Sequence, residues 1–160
     1  TRLQVEHPIT EMVTGLDLVC EQIKIASGQR LGFDQKDIHF NGHAIEFRIN
    51  AENPDTFLPS PGKINTFHPP GGPGVRIDSI VYQGYQIPPY YDSLISKLIV
   101  FGNDRENCLL RSQRALDEFI IEPIDTSIEL HKKLLRNNDI MKGAYSIKWL
   151  EETFLPKNKN

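Results

Sequence analysis

The sequence predicts an α+β fold. Its 160 residues run in the order strand, helices, a β-rich middle and helices again, and such segregation of strands from helices defines that class. The middle, from Ile38 to Phe101, alternates apolar and polar residues and is punctuated by Gly and Pro. The flanks repeat apolar residues at helical spacing behind capping residues.

Thr1 to His7 reads with period 2 as a strand, with Arg2, Gln4 and Glu6 on one face and Leu3, Val5 and His7 on the other. The polar face carries a bidentate cation, an amide and a carboxylate. It can hold a small oxyanion beside a base; it is also what the wet face of an ordinary amphipathic strand looks like. His7-Pro8 breaks the pattern. A short helix follows over Thr10 to Thr14 and stops at Gly15. Asp17 then caps a second helix, Leu18 to Ser27, with Gly28 after its end.

His39 to Asn50 reads as one or two strands around the turn Asn41-Gly42. Ala44, Glu46 and Arg48 share one face, and His43, Ile45, Phe47 and Ile49 the other. Lys63 to Phe67, Val75 to Val81 and Ser93 to Phe101 are further strands. They are separated by the Pro- and Gly-rich stretches Asn53 to Asp55, Pro59 to Gly62 and Pro69 to Gly74. Asp104 caps a helix over Arg105 to Phe119, whose buried side is Leu109, Leu110, Ala115, Leu116 and Phe119. Ile120-Ile121 is a short strand ended by Pro123. Asp125 or Thr126 caps a helix over Ser127 to Asn137, and Ile147 to Phe154 forms the last helix before a polar tail.

Composition excludes several classes. A net charge of −3 and a pI near 5.9 argue against a nucleic-acid surface. No run approaches the ~18 apolar residues of a membrane span. Cys20 and Cys108 stand alone, without a CxxC pair, so a reducing, cytoplasmic setting is expected, with both as small apolar fillers. Pro69 to Gly74 lacks the Lys-Ser/Thr of a phosphate loop.

Thr1-Arg2-Leu3-Gln4-Val5-Glu6-His7-Pro8-Ile9-Thr10-Glu11 resembles the signature that closes the ATP-grasp domain of biotin-dependent carboxylases. Gly42 to Glu52 (GHAIEFRINAE), Phe57 to Gly62 (FLPSPG) and Pro89 to Ser93 (PYYDS) resemble their next motifs, in the same order. The resemblance implies the tail of an ATP-grasp domain, Thr1 to Lys36, followed by a β-rich biotin carboxylase C-terminal domain with flanking helices, Asp37 to Leu155, and a polar tail from Pro156 to Asn160. It implies ATP-dependent carboxylation of carrier-bound biotin by bicarbonate. Arg2, Gln4 and the Val5 amide would bind bicarbonate, Glu6 would be the base, Arg48 would bind the biotin ureido oxygen, and Ile147 would touch adenine. Arg2, Glu6 and Arg48 are thus the catalytic candidates, and no residue of the chain is a metal-ligand candidate. Mg²⁺ ligands and phosphate-binding groups would lie outside this chain, so the chain alone is expected to be inactive. The expected partners are a biotin carboxyl carrier protein, a carboxyltransferase and a second copy, with Pro69 to Gly74 and Arg76 in the homodimer contact. The parent enzyme would be the biotin carboxylase subunit of an acetyl-CoA carboxylase, or alternatively a pyruvate or propionyl-CoA carboxylase. As an isolated piece the chain can also be read as a non-catalytic assembly module.

Bland readings stand beside these. Arg48 shares its strand face with Glu46, and a structural ion pair would explain both. His7 and His43 read as hydrogen-bonded structural residues. Tyr90-Tyr91-Asp92 is either a support for the site or a packed tyrosine cluster. The first 36 residues carry too few apolar side chains for a core of their own and are expected to be less ordered than the rest, or held by a second molecule.

Overall fold

The computed structural model describes residues 1–157, and its first seven residues are not a strand. Residues 1–4 are irregular, 5–6 form a turn, and helix α1 (His7–Thr14) follows at once. Pro8 decides the difference. In the first turn of a helix the amide has no intrahelical partner, so Pro fits there and its fixed φ favours the helix. The turn is closed by Ile9 N donating to Glu6 O at 3.1 Å and by His7 Nδ1 donating to Gln4 O at 2.7 Å. Gly15, at φ 75°, ends α1 in the left-handed conformation. Asp17 caps α2 (Leu18–Ala26), accepting from Cys20 N at 2.8 Å as the sequence predicts. A 3₁₀ turn follows at Gln35–Asp37.

The strands are β1 (His43–Asn50), β2 (Gly62–Lys63), β3 (Thr66–His68), β4 (Val75–Ser79), β5 (Gln86–Ile87), β6 (Leu94–Gly102) and β7 (Ile120–Glu122). They build an antiparallel sheet of order β1-β6-β4 and two small ribbons, β2-β5 and β3-β7. No hairpin forms at Asn41-Gly42. Asn41 N instead donates to Val13 O at 2.8 Å, and Gly42 (φ 66°) leaves no room for a Cβ against Gly102 O and the Phe101 ring. The strand expected over Lys63 to Phe67 is divided between β2 and β3, each pairing elsewhere.

Helices α3 (Arg105–Glu118), α4 (Ile128–Leu135) and α5 (Asn138–Lys142) come next, then a π-helical turn, Leu150–Phe154, and α6 (Leu155–Lys157). Asp104 caps α3, accepting from Asn107 N at 2.8 Å. The cap expected for α4 is absent. Ser127 occupies the position, but its hydroxyl donates to Arg48 O at 2.9 Å and accepts from Asn50 N at 3.0 Å. Ile147, placed by the sequence at the start of the last helix, lies in a turn before it. Of the polar tail, residues 158–160 lie outside the described residues.

Antiparallel register aligns the sides of the sheet. Ile45, Phe47 and Ile49 lie opposite Val100, Leu98 and Ser96, and Val75 and Ile77 join them from β4. This side packs with Cys108, Leu109, Ala115 and Leu116 of α3 in the main core. On the other side Arg48, Lys97 and Asp78 are aligned across the three strands, as are Glu46, Ile99 and Arg76. Helix α1 packs against β1 and β6. Within the first 36 residues α1 is packed on the sheet, with Pro8 buried, whereas α2 buries no residue.

Candidate functional site

The charged side of the sheet brings the N-terminal segment and Arg48 together. Arg48 Nη2 donates to Glu6 Oε2 at 3.1 Å, across 42 positions of sequence. Both side chains are more than half exposed, 53% and 55%. An ion pair so exposed adds little stability and opens easily to a competing ligand. Arg48 Nε lies 3.8 Å from Glu46 Oε1, so the structural pair read from the sequence also exists. The Glu46 side chain is only 4% exposed, and its Oε2 is buried without a hydrogen-bond partner among the described residues. Burial raises the Glu46 carboxyl above its usual range; Lys97 and Arg48 oppose that, and Glu6 adds to it.

The backbone of Arg48 is fixed from below. Its carbonyl accepts from Ser127 Oγ and from His131 Nε2, at 2.9 and 2.8 Å. The His131 ring sits edge-on to Phe47 at 5.4 Å. Burial holds its pKa below the ordinary value, against the effect of the Arg48 carbonyl. The guanidinium thus projects into solvent from a strand anchored by α4.

Arg2, Gln4 and Glu6 line one cavity of about 690 Å³ with Leu3, His7 and residues of the α1–β1 region, among them Leu18, Phe33 and Phe40. They share it as members of a loop and turn, not as alternating positions of a strand. Val5 is not part of the lining; its carbonyl accepts from Lys97 Nζ at 3.2 Å. Ile147 is fully exposed on its turn and lies outside this cavity. Tyr90 and Tyr91 are also exposed, so they form no packed cluster. His7 and His43 are hydrogen-bonded as expected, His43 Nε2 facing Arg105 Nη1 at 3.2 Å. Among the described residues no group of three or more His, Cys, Asp or Glu side chains is placed to hold a metal ion.

Arg76 joins two elements of the chain. Its guanidinium holds Asp78 through Nε and Nη2, at 2.8 and 3.0 Å, and Glu11 Oε2 through Nη1, at 2.6 Å. These bonds raise its already high pKa against the opposing effect of burial, Asp78 contributing most. The residue clamps α1 to β4 while about a third of its side chain, 34%, stays exposed. Sequence reasoning missed Lys97, Ser127 and His131. Lys97 left a signal, as the one charged residue in the apolar run Leu94 to Phe101. Ser127 and His131 left none stronger than their spacing of four on a helix.

Comparison with known proteins shows the family of the chain. Residues 46–152, well over half of the chain, match the biotin carboxylase C-terminal domain. The chain belongs to that family. Residues 1–33 match the ATP-binding domain of the carbamoyl-phosphate synthase L chain. The chain is 55% identical over 152 residues to a biotin carboxylase of Pseudomonas aeruginosa, covering 95% of this chain and 34% of that protein. It is 56% identical over 153 residues to a pyruvate carboxylase subunit from Methanothermobacter thermautotrophicus, covering 95% and 31%. The biotin carboxylase domain dimer of Hydrogenobacter thermophilus 2-oxoglutarate carboxylase, solved with MgADP, ADP and bicarbonate, superposes with a TM-score of 0.93 at 47% identity, covering 95% of this chain and 34% of that one. The chain therefore spans about a third of the length of the relatives it matches, and the α+β reading agrees with the fold of these neighbours. No helix among the described residues is long and apolar enough to cross a membrane.

Proposed function

We propose that this chain supplies the bicarbonate- and biotin-facing part of a biotin carboxylase. The contact between Glu6 and Arg48 carries the reading, because it sets a carboxylate beside an exposed, exchangeable guanidinium at the rim of a cavity that Arg2 and Gln4 also line. The bicarbonate, ADP and magnesium bound by the Hydrogenobacter relative support the substrate set. In the reaction ATP phosphorylates bicarbonate to carboxyphosphate, and the ureido N1′ of carrier-bound biotin then takes the carboxyl group as phosphate leaves. Arg2 binds the bicarbonate oxygens in parallel, as a planar guanidinium can. Gln4 and the Val5 amide orient it, and Glu6 takes its proton. Arg48 donates to the ureido oxygen and stabilises the charge that grows there as N1′ loses its proton. Ile147 offers an apolar edge to adenine.

The proposal includes the division at Lys36 and Asp37, supported by the separate matches to residues 1–33 and 46–152. It also includes a carrier protein, a carboxyltransferase and a second copy as partners, in the cytoplasm. The biotin carboxylase component of an acetyl-CoA carboxylase is the first reading of the parent. A pyruvate carboxylase component is the second, favoured by the 56% identity to one.

The test separates the half-reactions in the carboxylase polypeptide that contains this segment. Glu6→Gln is expected to lower both bicarbonate-dependent ATP cleavage and biotin carboxylation by roughly 10²-fold or more. Arg48→Gln is expected to lower carboxylation by that order while ATP cleavage is largely kept. Equal losses in both assays for Arg48→Gln overturn its assignment to biotin.

A further inference from the structure

The charged side of the sheet holds two consecutive residues of the N-terminal segment at two points. Arg48 and Lys97 face each other directly across β1 and β6, a pairing that places their Cβ atoms about 5 Å apart on one side. Arg48 reaches the Glu6 carboxylate, at 3.1 Å, and Lys97 Nζ reaches the Val5 carbonyl, at 3.2 Å. Lys97 is itself held. Its ammonium lies 3.3 Å from Asp78 Oδ2, only 14% of its side chain is exposed, and Asp78 is gripped in turn by Arg76.

We propose that Lys97 is a positioning residue that fixes the Val5–Glu6 peptide relative to Arg48. The inference rests on the functional reading above and adds a residue to it. A peptide unit is planar, so a bond to the Val5 carbonyl orients the whole Val5–Glu6 plane. The Val5 N–H is attached to that plane through the Val5 Cα and the Glu6 side chain through the Glu6 Cα, so the position of both depends on it. An ammonium donating to a carbonyl is a charge-assisted bond, stronger than a neutral one, and partial burial weakens salt screening. The competing account is that Lys97 merely completes the ion pair of Asp78. That account predicts a change in stability and no selective change in substrate handling.

Lys97→Met in the carboxylase polypeptide that contains this segment separates the two. Met keeps the length and the apolar stem but cannot donate. Misplacement of binding groups by about 1 Å can cost two orders of magnitude, so a rise of roughly tenfold or more in KM for bicarbonate is expected, with KM for ATP within twofold of wild type. Lys97→Arg restores a donor and is expected to recover part of the loss. Asp78→Asn, which leaves the Lys97 donor in place, is expected to lower thermal stability with bicarbonate KM within twofold. Unchanged bicarbonate KM in Lys97→Met overturns the proposal, as does a rise in Asp78→Asn that matches it. Amide exchange at Val5 and Glu6 gives a readout that needs no turnover: it should be faster in Lys97→Met, and unchanged exchange overturns the positioning role. A wild-type polypeptide with no bicarbonate-dependent ATP cleavage overturns the functional reading instead, and the exchange measurement then decides on Lys97 alone.

Discussion

The two faces of the β1-β6-β4 sheet are made from the same three strands and do different work. On the apolar face Ile49, Leu98 and Val100 are completely buried and pack in one core with α3. On the charged face Arg48, Arg76 and Lys97 meet Glu6, Glu11 and the Val5 carbonyl of the N-terminal segment, Glu46 and Asp78 pair with these cations, and Ile99 is a fully buried apolar exception. Apolar burial is non-directional: it rewards removal from water and fixes little about angle. Ion pairs and charge-assisted bonds are directional and individually weak when exposed. The first face keeps the domain folded, and the second holds one segment in one place. Strand periodicity lets both be written into a single stretch of sequence.

The largest expected effect therefore lies on the face without chemistry. Leu98→Ala deletes a side chain with no exposure in the centre of the core, and such truncations cost about 2–5 kcal/mol. Urea unfolding measures it. A cost below about 1 kcal/mol would show that the apolar face is not the main source of stability. Next comes Glu11, which joins three parts of the molecule. Its Oε2 accepts from Arg76 on β4 and its Oε1 from Leu18 N at the start of α2, at 2.6 and 2.9 Å. Glu11→Ala should cost about 1–3 kcal/mol, because it leaves a charged donor and a backbone amide unpaired at once. Hydrogen exchange should locate the loss in α1 and α2 and leave β6 protected; uniform loss across the sheet would deny the charged face its local role. Arg76→Glu would break this same clamp, so it is a probe of the fold before it is a probe of association.

How legible each face was follows from the same contrast. The run Leu94 to Gly102, α3 with its Asp104 cap and α2 with its Asp17 cap could be read because hydrophobic period and capping are local signals. The strand expected over Thr1 to His7 failed because alternation over seven polar-rich residues is also compatible with a turn, and because Pro8 starts a helix as readily as it ends a strand. The site was legible only as chemistry. Arg2, Gln4, Glu6 and Arg48 could be named, but the contact across 42 positions is a tertiary fact. Ser127 illustrates the limit. Capping signals led to Asp125 or Thr126, and the hydroxyl next to them bridges Arg48 and Asn50 on a distant strand.

The smallest effects concern pH, and two carboxylates on the charged face should act with opposite sign. Burial pushes Asp78 upward, but the hydrogen bond and charge of Arg76 and then Lys97 outweigh it, so its folded pKa lies below the ordinary value. Its contribution is present above the unfolded pKa near 3.9 and is lost as pH falls through the lower folded value. Glu46 is raised, chiefly by burial. Folding therefore favours its protonated form, and stability is lost as pH rises from its ordinary value near 4.3 through the folded one. Glu46→Gln removes that loss, so the gain in Tm between pH 4 and pH 7 should be larger in the variant than in wild type. Asp78→Asn removes the other term, so the fall in Tm between pH 4 and pH 2.5 should be shallower than in wild type. Each kcal/mol corresponds to about 2–4 °C for a chain of this size, so shifts of a few degrees are expected. Leu98→Ala, which removes no ionisable group, should lower the whole curve with its shape unchanged. A slope that falls in Glu46→Gln, as it should in Asp78→Asn, would mean that Lys97 and Arg48 more than offset the burial of Glu46.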